Sequence, residues 1–253
     1  MTVARILPAL LAIVVWFGAP AVAGAQGRNA AFGLPDGPCD FEHGGGHGPY
    51  DYADPANHKT FDKIPIVEVA HFFKGMEDLK LPPGHNALLG SEFDYTLRAV
   101  PNHWRALNAM VKLAARDKTN QPKGSRYTVD CWFQRGLRYR PNDVQVRFVY
   151  GTYLARVHRN KEAVEQFGET LKLSPNNANT HYNLGLVYLD MKEFDKSLEH
   201  AHKAYGGGFA LPGLRDRLKK AGKWSDIAPV AQKPAAPPAT TSSSGQDSPA
   251  QGQ

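Results

Sequence analysis

Two spacings of 34 residues run through the middle of this chain, Phe133 to Phe167 and Gly151 to Gly185. A period of that length is longer than any single helical or strand pattern. It matches one supersecondary unit copied end to end, and so limits the fold before composition is consulted. Three stretches share one phrase: FDYTLRAVPNH from Phe93, FQRGLRYRPND from Phe133 and FGETLKLSPNN from Phe167. In each, a Leu (Leu97, Leu137, Leu171) follows the Phe by four residues and a Pro-Asn pair begins eight residues after it. Apolar residues four apart form one stripe of a helix, and proline cannot continue one. The phrase therefore predicts the second helix of a helix pair together with its stop. Glycine inside a helix costs about 1 kcal/mol relative to alanine. Gly151 and Gly185, set in apolar helical patterns, accordingly predict places where two helices approach closely.

One unit, 144–177, has Tyr150-Gly151 at its seventh and eighth positions, Leu154 at the eleventh, Ala163 at the twentieth, Phe167 at the twenty-fourth and Pro175 at the thirty-second. The next, 178–211, carries Leu184-Gly185, Tyr188, Ser197, Ala201 and Phe209 at the same positions, with Phe209 where Pro175 stood. With these residues in these places, HYNLGLVYLDMKEFDKSLEHAHKAY resembles a tetratricopeptide repeat (TPR). The step from Phe93 to Phe133 is 40 residues; the six extra fall in the polar stretch DKTNQPKGSR, which predicts a repeat over 104–143 with an enlarged internal turn. A degenerate repeat is expected over 66–103, with VEVAHFFKGMEDL as its first helix, and a charged capping helix over 212–225. The resemblance covers roughly residues 86 to 222. It implies an all-α fold of TPR-like antiparallel helix pairs forming a short right-handed superhelix. The stretches CDFEHGGGHGPYDYAD, VEVAHF, DYTLRAVPNHWRAL and LPGLRDRLKKAG together look similar to a group of exported bacterial TPR proteins.

Both ends read differently from the body. Arg5 precedes an apolar run from Ile6 to Phe17, and Ala23 and Ala25 then supply small residues at the −3 and −1 positions of a cleavage site. This is the pattern of a cleavable signal peptide over 1–25, and the run falls short of the roughly 20 apolar residues that a spanning helix needs. The expected address is the periplasm or the outside of the cell, with no membrane insertion after cleavage. Residues 26–65 are rich in Gly, Pro, Asp and His without periodicity, and predict an irregular arm. Residues 226–253 carry almost no large apolar side chains and are expected to be a disordered tail, because they cannot bury enough surface to offset the entropy of ordering. The two cysteines, Cys39 and Cys131, would form a disulfide in an oxidising compartment and tie the arm to the helical body.

The TPR resemblance implies a concave groove, lined by the first helix of each pair, that binds a protein or peptide. Mapped onto this sequence, the groove positions include Arg105, Asn108, Lys112 and Arg116, then Phe148, Thr152 and Arg156, then Asn179, Tyr182, Asn183 and Leu186. Four cations fall at one end and apolar side chains at the other. This gradient predicts a partner with an acidic group or a free C-terminal carboxylate, since arginine reads such groups with two parallel hydrogen bonds. The formal charge of +6 is mild, and without dense Lys/Arg runs between aromatics nucleic acid is excluded as a partner.

Chemistry-bearing motifs are scarce. The sequence holds no G-x-S-x-G, phosphate loop, dinucleotide fingerprint, HExxH or C-x-x-C-H. No catalytic residue, metal site or cofactor is expected, and the chain is read as a non-enzymatic adaptor in assembly or regulation of an envelope complex. The alternative is a metal- or small-ligand-binding protein using the arm, where HGGGHG sets His43 and His47 four residues apart with His58 further on.

Overall fold

The computed structural model describes Cys39 and residues 47–226. The expected signal peptide, the rest of the expected arm before His47 and the sequence beyond Asp226 lie outside the described residues, and with them His43. Among the described residues every long element is helical: α1 (Ile64–His71), α2 (Leu89–Ala99), α3 (Trp104–Asp117), α4 (Val129–Tyr139), α5 (Val144–Arg156), α6 (Asn160–Leu173), α7 (Ala178–Asp190), α8 (Phe194–Gly206) and α9 (Gly213–Lys220). Short 3-10 turns occupy Pro55–His58 and Met76–Asp78. The fold is all-α and built of TPR-like antiparallel pairs. The chain divides into two compact units, one ending at Leu173 and one starting at Ser174.

In the first unit the pairs are α1/α2, α3/α4 and α5/α6. Phe93, Phe133 and Phe167 are completely buried, as is Leu97. Leu137 and Leu171 are only half-buried, so the Phe rather than the Leu is the constant of the repeated phrase. The tight crossing expected at Gly151 is explicit: a Cβ there would lie 2.8 Å from the Phe167 ring. In the second unit α7 pairs with α8. A Cβ on Gly185 would meet the Leu214 side chain of α9 at 2.5 Å, while the Ser197 hydroxyl donates to the Gly185 carbonyl at 2.8 Å.

The Pro-Asn element does more than stop a helix. The residue after it caps the next one. His103 Nδ1 accepts from the Ala106 amide, the Asp143 carboxylate from those of Gln145 and Val146, and the Asn177 amide oxygen from that of Thr180. In each case the same residue's own amide closes a turn onto the residue three before it, Val100, Arg140 or Ser174. Each cap satisfies amides that the helix start leaves without an intrahelical partner.

Two expectations are revised at the N-terminal side. The first helix of the degenerate pair stops at His71 instead of running to Leu79, because left-handed residues at Gly75 (φ 98°) and Leu79 (φ 59°) fold Met76–Asp78 into a separate turn on α3. The enlarged turn between α3 and α4 is also a folded element: the Arg126 amide donates to Asp94 at 2.7 Å, and Trp132 Nε1 donates to the Ser125 hydroxyl at 2.9 Å.

The arm is stitched to helix ends. The Tyr50 amide donates to the Ala99 carbonyl, and that of Tyr52 to Asn102 Oδ1, both at 2.9 Å. Asn102 Nδ2 lies 2.7 Å from Asp51 and 2.9 Å from Asp143, and Arg140 pairs with Asp51. Burial tends to raise the Asp51 carboxyl, but the Asn102 amide, the Ala53 amide and Arg140 hold it below its ordinary value. Cys39 is bonded to Cys131 in the first turn of α4, a link across 92 positions of sequence. Closing a loop that long restricts the unfolded chain by an amount worth about 4 kcal/mol in chain-entropy terms.

The crossing at Gly151 generates a stability prediction. Alanine gains about 1 kcal/mol of helix propensity there, but its methyl overlaps a fully buried ring, and overpacking costs about 1–3 kcal/mol. We expect Gly151→Ala to lower unfolding free energy by about 1 kcal/mol in urea titrations, with Phe167→Leu in the same chain recovering part of it.

Candidate functional site

In the first unit, α3 and α5 lie side by side and present the positions mapped to the groove. Their C-terminal ends and the start of the enlarged turn enclose a cavity of about 350 Å³, lined by Val111, Ala114, Ala115, Lys118, Thr119, Asn120, Tyr153, Arg156 and Val157. Its walls are largely apolar, and Val157 remains 42% exposed. Arg156 is exposed at this cavity and forms no ion pair or hydrogen bond with any described residue.

The wall residue Tyr153 is fixed from behind. Asp130, at the start of α4, is almost completely buried and accepts from the hydroxyls of Tyr150 at 2.9 Å and Tyr153 at 3.1 Å. Arg159 pairs with the same carboxylate and with Glu162. Burial, then the neighbouring Asp130 charge, pushes both phenols far above their ordinary value, so they stay neutral donors. Hydrogen bonds to Glu162 and Asp130 outweigh burial and raise Arg159, which stays charged. This network joins α4, α5 and the start of α6.

The other mapped positions meet different surroundings. Arg105 pairs with Glu77 and approaches Glu68 at 3.6 Å. Lys112 Nζ donates to the Glu77 main-chain carbonyl at 2.8 Å. Arg116 donates to its neighbour Asp117 at 2.7 Å. Three of the four cations thus already hold partners within the chain, which revises the expectation of an open basic end. Asn108 is half-buried on α3. Phe148 is half-buried with its ring 5.9 Å from that of Phe167, and the Thr152 hydroxyl turns back to the Phe148 carbonyl at 2.9 Å.

In the second unit, Tyr182 stacks on Phe209 at 4.0 Å, and both Tyr182 and Leu186 pack on a cluster of Leu189, Ala201, Leu214 and Leu218. The apolar end read from the sequence is covered by the Phe209–Leu218 stretch. Asn179 is exposed, and Asn183 spends its amide on the Asn179 carbonyl at 2.8 Å.

Two histidine arrangements are buried or half-buried. His103, fully buried beside Tyr52 and Phe72, accepts from an amide at Nδ1 and so carries its proton on Nε2, facing Glu68 at 3.1 Å. In the second unit His181 Nε2 faces the Pro175 carbonyl at 2.9 Å and must donate there, leaving Nδ1 to accept from His200 Nδ1 at 2.9 Å. Burial lowers all three imidazoles, His200 to about 4. The arm histidine His58 is engaged with the Tyr52 carbonyl at 2.8 Å, and His47 is exposed. No group of three His, Cys, Asp or Glu among the described residues is arranged to hold a metal ion, and no helix among them is long and apolar enough to cross a membrane.

Residues 159–192 match the TPR repeat family model. Among curated proteins, mouse Protein O-mannosyl-transferase TMTC3 is 30% identical over 99 residues, covering 39% of this chain and 10% of that protein. The Peroxisomal targeting signal receptor of Candida albicans is 33% identical over 73 residues, covering 29% of this chain and 12% of the receptor. This chain therefore spans about a tenth of the length of the curated relatives it matches. Among solved structures, that of Pseudomonas aeruginosa pilF aligns with a TM-score of 0.45 and 21% identity, over 63% of this chain and 67% of that one.

Two expectations follow from the buried groups. Asp130→Ala leaves Arg159 and two phenols without their shared acceptor; removing one partner of a buried pair costs about 3–5 kcal/mol, which chemical denaturation should show as a large drop in midpoint. Separately, the unfolded chain takes up a proton near pH 6.5 that the half-buried His200 imidazole refuses until about pH 4. Unfolding free energy should therefore fall as pH drops through that window, and His200→Gln should flatten the slope in thermal melts between pH 7.5 and 4.5.

Proposed function

We propose that this protein is a non-enzymatic adaptor that takes a protein or peptide partner on the α3–α5 face of its first unit, with an acidic group or C-terminal carboxylate set on Arg156. The observation that carries this reading is the cavity between the two helix ends. It is apolar enough to accept a side chain, it has a rigid Tyr153 wall, and it is flanked by a guanidinium that the described chain leaves unpaired. A guanidinium that has not already committed its donors can grip a carboxylate with two parallel hydrogen bonds. The relatives point the same way: repeats of this kind serve protein contacts, and the Candida albicans relative is by its name a receptor for a targeting signal.

The leader-like residues 1–25 support an exported address, and we place the adaptor in the periplasm or outside the cell, in assembly or regulation of an envelope complex. The test is capture of partners from an envelope extract with the tagged, oxidised protein, read by quantitative mass spectrometry. Losing a charge-assisted hydrogen bond costs about 1.5–3 kcal/mol, so Arg156→Glu should reduce recovery of the captured partner about tenfold or more, while Lys219→Glu on α9 leaves it unchanged. Equal recovery by both variants removes Arg156 and its cavity as the site.

A further inference from the structure

Two cations of the α3 face, Arg105 and Lys112, are held by a short segment with an unusual build. Residues 73–80 read FKGMEDLK. Met76 is completely buried, although it sits in a 3-10 turn of only three residues packed on α3. The residue after it, Glu77, uses two different groups: its carboxylate pairs with Arg105 and its main-chain carbonyl accepts from Lys112. An apolar anchor, a carboxylate and a main-chain carbonyl, all read from one helix face, are the contacts that an extended peptide would present.

The turn is self-contained. Its amides at Met76, Asp78, Leu79 and Lys80 all donate to carbonyls within 73–76. It is bounded by left-handed Gly75 and Leu79, and the stretch that follows contains Pro82-Pro83-Gly84, where a Cβ on Gly84 would meet nothing within 4 Å. A cavity of about 520 Å³ opens beside it, lined outside the segment by Glu68, Val69, Phe72 and Arg105, and Val69 is 64% exposed. Lifting the turn uncovers the place of the Met76 side chain and frees Arg105 and Lys112, beside Val69 and Phe72 and with the Glu68 carboxylate 3.6 Å from Arg105.

We infer that residues 73–80 occupy, in cis, a second peptide subsite on α3, and that the partner's segment displaces them by supplying an apolar side chain directly followed by an acidic residue. The inference rests on the adaptor reading above and names the chemistry of the partner: Met76-Glu77 is its internal stand-in. Occupancy in cis lowers the apparent affinity by the fraction of molecules in which the subsite is open, so the segment sets a threshold that weak acidic peptides do not pass.

The probe is the acetylated, amidated peptide FKGMEDLK, titrated by fluorescence anisotropy against the full oxidised chain. Glu77 is partly exposed, so Glu77→Ala should fold, and Glu77→Gln keeps its shape. We expect both variants to bind the peptide about tenfold tighter than the unchanged chain, and Arg105→Glu added to either to abolish the gain. A second measurement needs no substitution. Met76 oxidation by dilute peroxide, read by mass spectrometry, should accelerate when the peptide saturates the chain, while Met110, equally buried in α3, stays protected.

Peptide affinity unchanged or weakened by Glu77→Ala overturns the inference. So does peptide binding that leaves Met76 protected, since segment and peptide would then coexist. If no variant binds the peptide but partner capture still depends on Arg156, the cis subsite is refuted and the adaptor reading stands. If capture is also indifferent to Arg156, both fall.

Discussion

The contact between Gly151 and the Phe167 ring sets the geometry on which the first unit depends. It brings α5 and α6 together at a distance that a single added methyl would disturb. Once that crossing is fixed, helical periodicity decides the rest of α5. Tyr150 and Tyr153 turn inward to Asp130, and Arg156, one turn further on, emerges at the end of the helix. The candidate site is thus an outward consequence of a packing constraint, and Arg156 owes its position to two residues buried behind it.

The surfaces on the two units carry a common physical theme. In each unit the chain covers part of a helix face with its own residues. In the first unit the turn at Met76–Asp78 lies on α3 and neutralises Arg105. In the second, Leu214 and Leu218 of α9, both fully buried, cover α7 and α8. What stays open within the first unit is the place where α3 and α5 end, between a buried carboxylate network and solvent.

Much of the fold was legible in the sequence, because period, glycine and proline act locally. The 34-residue spacing, the crossing at Gly151 and the Phe stripe are each readable from a handful of positions. The capping role of His103, Asp143 and Asn177 was legible too, since each repeated stretch already ends on that residue, one beyond the Pro-Asn pair. The occupancy of the site was not. Nothing local ties Glu77 to Arg105 and Lys112, which lie 28 and 35 residues away, or Phe209 to Tyr182. Positions mapped from a repeat pattern say which way a side chain faces. They do not say whether another part of the chain already stands there, and two left-handed residues at Gly75 and Leu79 were enough to put it there. The Asp130 network was missed for the same reason: a buried acid that serves two tyrosines and an arginine looks, in sequence, like an ordinary helix N-terminal aspartate.

The central proposal is that the partner's acidic group is anchored, in the first unit, at the opening between the ends of α3 and α5. Site-specific photo-crosslinking measures this directly. A benzophenone side chain placed at exposed Ala115, on the cavity wall, should crosslink one partner in native envelopes, and the same group at exposed Arg138, on α4, should not. Crosslinks of equal yield from both positions, or from Arg138 alone, would contradict the account.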